Sequence, residues 1–167
     1  MRLYLVFNIA LFSLLTLLSC EVGSENTLYE VTKDDFSEFI SATNYVTDAE
    51  KFGWTFRQIT ISHFEVVEGE TWRNSSYKQS EVTQISWNDA VAYCQWKGVR
   101  LPKLEEYWKY STSDNQKDVW DWTEEGILAG GSFLCSIETC AGFKEGNEKT
   151  DISPDTTNSH IGFCVIG

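Results

Sequence analysis

From Leu28 onward, short amphipathic stretches alternate with polar turns. Thr32-Lys33-Asp34-Asp35 reads as an N-cap followed by acidic residues, and Phe36, Phe39 and Ile40 recur at i, i+3 and i+4, which predicts an amphipathic helix with one core stripe. Thr47-Asp48-Ala49-Glu50 repeats the capping logic and predicts a brief helical turn ended by Gly53. Ser86-Trp87-Asn88-Asp89 caps a second helix, with Ala90, Val91 and Cys94 turned inward and Gly98 as its stop. Pro102 marks the start of a third, running through Glu105, Glu106 and Trp108. Between these helices, residues 55–85 alternate only weakly, as in Gln58-Ile59-Thr60-Ile61, and predict mostly loop with one or two strands. After Asp114 the pattern shifts to short strands and glycine turns with no further long helix.

The N-terminus follows a different pattern. Arg2 precedes an apolar run, Leu11-Phe12-Ser13-Leu14-Leu15-Thr16-Leu17-Leu18, that ends in Ser19-Cys20, the layout of an export signal over residues 1–19. The run is shorter than the roughly 20 apolar residues of a membrane-spanning helix. Leu17-Leu18-Ser19-Cys20 is similar to the bacterial lipobox, which implies lipidation of Cys20 and a lipid-anchored protein of the bacterial cell envelope, facing the periplasm or cell surface. A plain cleaved signal with an incidental cysteine is the alternative. Residues 20–27 then read as a lipidated tether and 28–167 as one domain.

Composition narrows the partners and the core. Seven Trp, seven Tyr and ten Phe predict an aromatic rather than aliphatic core. With 25 acidic against 13 basic residues, the surface repels phosphate backbones, so nucleic acid is excluded as a partner while calcium or a basic peptide fits. Setting Cys20 aside leaves Cys94, Cys135, Cys140 and Cys164, an even number with three possible pairings in an oxidising compartment.

The densest chemistry lies in Gly130-Gly131-Ser132-Phe133-Leu134-Cys135-Ser136-Ile137-Glu138-Thr139-Cys140. Two cysteines this close form a disulfide, a soft-metal site, or each in turn. Spacing in an exported protein favours the disulfide. Paired thiolates also suit copper(I), which prefers few, soft ligands, with the Ser132 hydroxyl nearby. The two histidines, His63 and His160, are far apart and make no His-x-x-x-His pair, and neither is assigned a metal. Hydrolase signatures are missing: there is no Gly-x-Ser-x-Gly elbow, P-loop or His-Glu-x-x-His.

The ordered series Tyr29-Glu30-Val31-Thr32, Ala42 to Trp54, Ile85 to Trp96, Gly98-Val99-Arg100-Leu101-Pro102, Val119-Trp120-Asp121-Trp122-Thr123, Gly130 to Cys135, Ser153-Pro154-Asp155 and Ile161-Gly162-Phe163 resembles the formylglycine-generating enzyme, or sulfatase-modifying factor, family. The resemblance implies an α+β fold, compact and irregular, with C-type-lectin-like topology and little regular secondary structure. It implies an oxygen- and copper-dependent oxidase that converts a cysteine in a Cys-x-Pro-x-Arg segment of a sulfatase-type polypeptide to formylglycine. Cys135 and Cys140 fall on the family's two copper positions and Ser132 on its nearby serine. Trp120 or Trp122 is then expected as an apolar wall for the peptide, although tryptophans in such a domain are more often core. Asp118, the Val119 carbonyl and Asp121 fall on a calcium loop, where hard oxygen ligands suit the ion, or form a solvated acidic turn. The resemblance also implies a Cys94–Cys164 disulfide.

The chain departs from the family at several points. The family's opening strands are missing and the segment between Tyr110 and Val119 is short. Ala141-Gly142-Phe143-Lys144-Glu145 stands where the enzymes carry arginines and tyrosines, and His160 stands where they usually have Asn. Cys164 lies one position ahead of the family's cysteine, which on a strand reverses the face it points to. These departures support a second expectation, a non-catalytic, lipid-anchored binding or scaffold module on the same fold.

Overall fold

The computed structural model describes residues 27–60, 62–77, 79–111, 119–134 and 148–167. Three predicted N-termini form as the sequence dictates. Helix α1 (Lys33–Thr43) opens on a capping box in which Thr32 Oγ1 accepts from Asp35 N at 3.1 Å and Asp35 Oδ2 accepts from Thr32 N at 3.1 Å. Thr47 with Glu50 does the same for α2 (Asp48–Phe52), and Ser86 with Asp89 for α3 (Trp87–Lys97). Gly53 and Gly98, at φ 76° and 75°, end the last two in the left-handed conformation that glycine adopts without strain. The third predicted helix is α4 (Leu104–Tyr110), two residues past Pro102.

Residues 55–85 contain a regular hairpin, β2 (Trp54–Thr60) paired antiparallel with β3 (His63–Glu68). The remaining strands are β1 (Leu28–Glu30), β4 (Trp120–Trp122), β5 (Leu128–Gly130), β6 (Glu148–Lys149) and β7 (Ile161–Ile166). They form one sheet in the order β1-β7-β4-β5-β6, with β4 and β7 parallel and the other neighbours antiparallel. The result is an α+β fold.

Side-chain alternation gives the sheet two faces. On one face, Trp120 pairs with Ile161 and Trp122 with Phe163, and this face meets α1 and α3 in an aromatic core. Phe36 is its centre, with ring centroids 5.3 Å from Phe39, 5.2 Å from Trp72, 6.0 Å from Tyr93 and 6.3 Å from Phe163. The other face meets α4: the Tyr107 hydroxyl donates to Asp121 Oδ2 at 3.0 Å, and Trp108 Nε1 donates to Glu148 Oε1 at 2.7 Å.

Cys94 and Cys164 are not bonded to each other, which corrects the pairing implied by the resemblance. Alternation along β7 explains it. Phe163 points at Tyr93 of α3, with ring centroids 5.3 Å apart, so Cys164, the next residue, points to the opposite face, the one on which Asp121 meets Tyr107 of α4. Cys94 lies in the core on the α3 side, and burial pushes its thiol up to about 12.

A buried polar network ties α2 to α3. Asp48 Oδ2 accepts from Ser86 Oγ at 2.8 Å and Asn88 Nδ2 at 2.9 Å, while Asp89 Oδ1 accepts from Asp48 N and the Tyr45 hydroxyl, both at 3.1 Å. Burial, and the neighbouring Asp48 carboxylate, raise Asp89 to about 6 despite its hydrogen bonds to Ser86. Among the described residues no helix is long and apolar enough to cross a membrane. The export signal, Cys20 and the tether as far as residue 26 lie outside the described residues.

Candidate active site

Strand β5 runs antiparallel to β4, with Gly130 opposite Trp120, and delivers Gly131 and Ser132 to the interior. Gly130 has φ 102°, so the double glycine makes the turn that an L side chain would resist. Ser132 is only 4% exposed, and its hydroxyl accepts from Leu134 N at 3.3 Å. Against it lies His160, also 4% exposed, with Nδ1 3.1 Å from Ser132 Oγ.

His160 is held from both sides of its backbone. Its carbonyl accepts from Trp120 N at 2.8 Å, and its N–H donates to Asn158 Oδ1 at 3.4 Å. The imidazole is pushed down to about 3, chiefly by burial and then by the Lys149 ammonium, so it is neutral at physiological pH. The ring therefore has one protonated nitrogen and one lone pair to share with the serine.

Lys149 completes the cluster. It pairs with Leu128 across β6 and β5, and its ammonium lies 4.6 Å from the Trp120 ring centroid. Gly130, the residue paired with Trp120, puts no side chain over that ring. A cation at this distance from an indole face is attracted to the ring quadrupole.

His160 and Lys149 line a cavity of about 400 Å³, together with Phe56, Phe64, Leu128 and Asn158, and Ser132 lies behind His160. The hairpin forms one wall. It is fastened to the segment before β7 by Phe56 N donating to the Thr157 carbonyl at 3.2 Å, Ser159 N donating to the Phe56 carbonyl at 3.0 Å, and a 2.7 Å contact between the hydroxyls of Thr55 and Thr157.

The predicted site residues divide as follows. Ser132 is buried at the cluster. Cys135, Cys140 and Asp118 lie outside the described residues. Trp120 and Trp122 are core residues rather than walls of this cavity: Trp122 is fully buried with Nε1 donating to the Ile85 carbonyl at 2.9 Å, and Trp120 meets the cavity's edge through Lys149. Pairing with Ile161 and Phe163 places both on the face that α1 and α3 cover. Val119 is buried, and the Asp121 carboxylate faces α4 with Oδ2 taken up by Tyr107. No group of three His, Cys, Asp or Glu able to hold a metal is found among the described residues.

Sequence reasoning missed His160 and Lys149. The signal for His160 was its place before Gly162-Phe163, where the family usually has Asn. Lys149 stands in the polar run Glu148-Lys149-Thr150 and gave no signal of its own.

The helices and the mixed sheet make an α+β domain with the fold of the sulfatase-modifying factors, and a buried serine stands behind its double glycine. The chain belongs to the family of the sulfatase-modifying factor enzyme 1-like domain, whose model matches residues 27–126. It is 40% identical over 119 residues to the formylglycine-generating enzyme of Mus musculus, covering 56% of this chain and 32% of that protein. It is 30% identical over 136 residues to the formylglycine-generating enzyme of Thermomonospora curvata, covering 65% of this chain and 43% of that protein. It is also 33% identical over 120 residues to the inactive C-alpha-formylglycine-generating enzyme 2 of Bos taurus, covering 57% of this chain and 40% of that protein. The chain thus spans between about a third and under a half of the length of these relatives. Names of both kinds occur among them, and the family match stops short of Ser132, Cys135 and Cys140, so membership alone does not assign an activity.

Proposed function

We propose that this protein is an oxidoreductase of the formylglycine-generating type, acting on a cysteine side chain of a sulfatase-type polypeptide. The observation that carries the reading is the placement of Ser132. The Gly130-Gly131-Ser132 turn brings this hydroxyl to a buried position beside His160, and Cys135 follows three positions later in the sequence.

Copper(I) is the cofactor this reading requires. The donor set fits: Cys135 and Cys140 offer two soft thiolates, the ligand type that favours copper(I) over hard cations. Bound copper(I) supplies oxygen activation. The chain's own residues supply the surroundings, with Ser132 fixing a hydroxyl at the site and His160 holding that hydroxyl through a neutral ring. Calcium at Asp118, the Val119 carbonyl and Asp121 is a separate proposal. It needs the Asp121 carboxylate to serve both the ion and Tyr107, and calcium-dependent thermal stabilisation tests it.

A second reading, a non-catalytic module anchored through Cys20, draws on the Leu17-Leu18-Ser19-Cys20 signal and on the similarity to a relative whose name says inactive. The two separate on one experiment: copper(I) loading followed by exposure to a cysteine peptide in air. Aldehyde formation that is lost in Cys135→Ser and Cys140→Ser supports the enzyme. Copper-independent capture of a polypeptide without turnover supports the module.

A further inference from the structure

The cavity wall holds a positive charge, that of Lys149, which makes no ion pair among the described residues. Lys51, Arg57, Arg73, Lys97 and Arg100 each lie within 4.0 Å of a carboxylate, of Asp48, Glu70, Glu50, Glu38 and Glu106 respectively. Lys149 is partly buried and has no such partner among the described residues; its ammonium rests on the Trp120 ring alone. The groups around it are His160, which is neutral, and Asp151, an exposed cavity residue that makes no ion pair with it. Desolvation lowers the amine's affinity for its proton, and an anion brought into the cavity offsets that cost. The chain's net charge of −12 makes an unpaired interior cation the more unusual.

A path leads from the surface to this charge. Phe52, Trp54, Phe56 and Phe64 form a ladder of rings, with successive centroids 5.7, 5.2 and 4.9 Å apart, and its last two members line the cavity. Phe52 is 43%, Trp54 36% and Phe64 54% exposed, so much of the ladder faces solvent. Strand β3 pairs with β2 alone among the described strands. An exposed, aromatic, singly paired strand suits an extended chain whose alternate side chains point one way.

We propose that Lys149, seated on Trp120 beside His160, receives an anionic side chain, a carboxylate or a thiolate, from an extended polypeptide lying along the Phe52–Phe64 ladder. The polypeptide nature of the ligand rests on the function proposed above; the anion preference rests on Lys149. A thiolate at this position is the state in which a substrate cysteine binds a soft metal. A carboxylate there marks an acidic recognition residue instead.

Binding of blocked heptapeptides to the full chain, metal-free and reduced, tests this by calorimetry. The peptides carry the same apolar flanks and differ only in a central Asp, Cys, Ser or Lys. The Asp peptide is expected to bind about tenfold or more tightly than the Ser and Lys peptides. The Cys peptide is expected to gain affinity as pH rises through its thiol pKa near 8.5, which separates thiolate from carboxylate recognition. Lys149→Met keeps the apolar stem against Trp120 and is expected to abolish these preferences, while Lys149→Arg retains them. Phe64→Ser is expected to weaken all four peptides alike. Equal affinity for all four peptides, no binding of any, or unchanged discrimination in Lys149→Met overturns the proposal. Because copper is absent, failure of turnover elsewhere leaves this outcome unaffected.

Discussion

Ser132 Oγ and His160 Nδ1 lie 3.1 Å apart in the interior, joining the end of β5 to the residue before β7. Both groups are polar and nearly inaccessible, so water does not replace the contact between them when it is lost. His160→Ala removes one partner and leaves a cavity. It is expected to cost about 1–3 kcal/mol in urea unfolding. His160→Asn, with an amide to offer the serine, is expected to recover much of that loss. Equal stability of His160→Ala and the parent shows that the contact contributes nothing.

The same ring sets a pH dependence. Its folded pKa of about 3 lies below the unfolded value of 6.5, so the unfolded state takes up the proton first. The stability it contributes is fully present above 6.5 and is lost as pH falls from there toward 3. Asp89 acts in the opposite sense: its folded value of about 6 exceeds 3.8, so its contribution is present below 3.8 and lost as pH rises through 6. Unfolding free energies measured between pH 4 and 7 are expected to fall less on acidification in His160→Asn than in the parent, and more in Asp89→Asn. Parallel curves for parent and variants contradict both assignments.

Thiol reactivity separates the cysteines. Cys94 and Cys164 are buried, and the Cys94 thiol is shifted to about 12. Iodoacetamide at pH 8 is expected to leave both unmodified in the native protein and to label both after unfolding in guanidinium, read by peptide mapping. Rapid native labelling of either contradicts the packing of α3 or β7 described above.

Gly162 lies where β7 packs tightly against the backbone at Val82. A Cβ built there meets the Val82 carbonyl oxygen at 2.6 Å and Val119 Cγ2 at 3.3 Å, and the first of these is backbone that cannot rotate away. Gly162→Ala is expected to lower unfolding free energy by about 1–3 kcal/mol, measured by urea titration. Unchanged stability means that β7 and Val82 are further apart than 2.6 Å implies.

The helices were legible because their signals are local. Thr32, Thr47 and Ser86 each precede an acidic residue by three positions, and Gly53 and Gly98 stop the chain where the pattern says. The hairpin was only half legible because β3 is exposed along nearly its whole length, and a strand that buries no face shows no alternation. The side on which the two tryptophans of β4 lie, peptide wall or core, is not legible locally, because it is decided by pairing with Ile161 and Phe163, far along the chain. The Cys94–Cys164 pairing gave way for the same reason: the face of Cys164 is set by Phe163 docking on Tyr93. Ser132 was visible through its double glycine, whereas His160 and Lys149 acquire meaning only when β7 and β6 are brought beside it.

The central claim is that the Ser132 turn supports oxidation of a cysteine side chain. The direct measurement is mass spectrometry of a Cys-Thr-Pro-Ser-Arg peptide after incubation in air with the reduced, copper(I)-loaded full chain. Conversion of the peptide thiol to an aldehyde, abolished by Cys135→Ser or Cys140→Ser and weakened by Ser132→Ala, is the predicted result. A peptide recovered with its cysteine intact, from a protein shown to hold copper(I), contradicts the account.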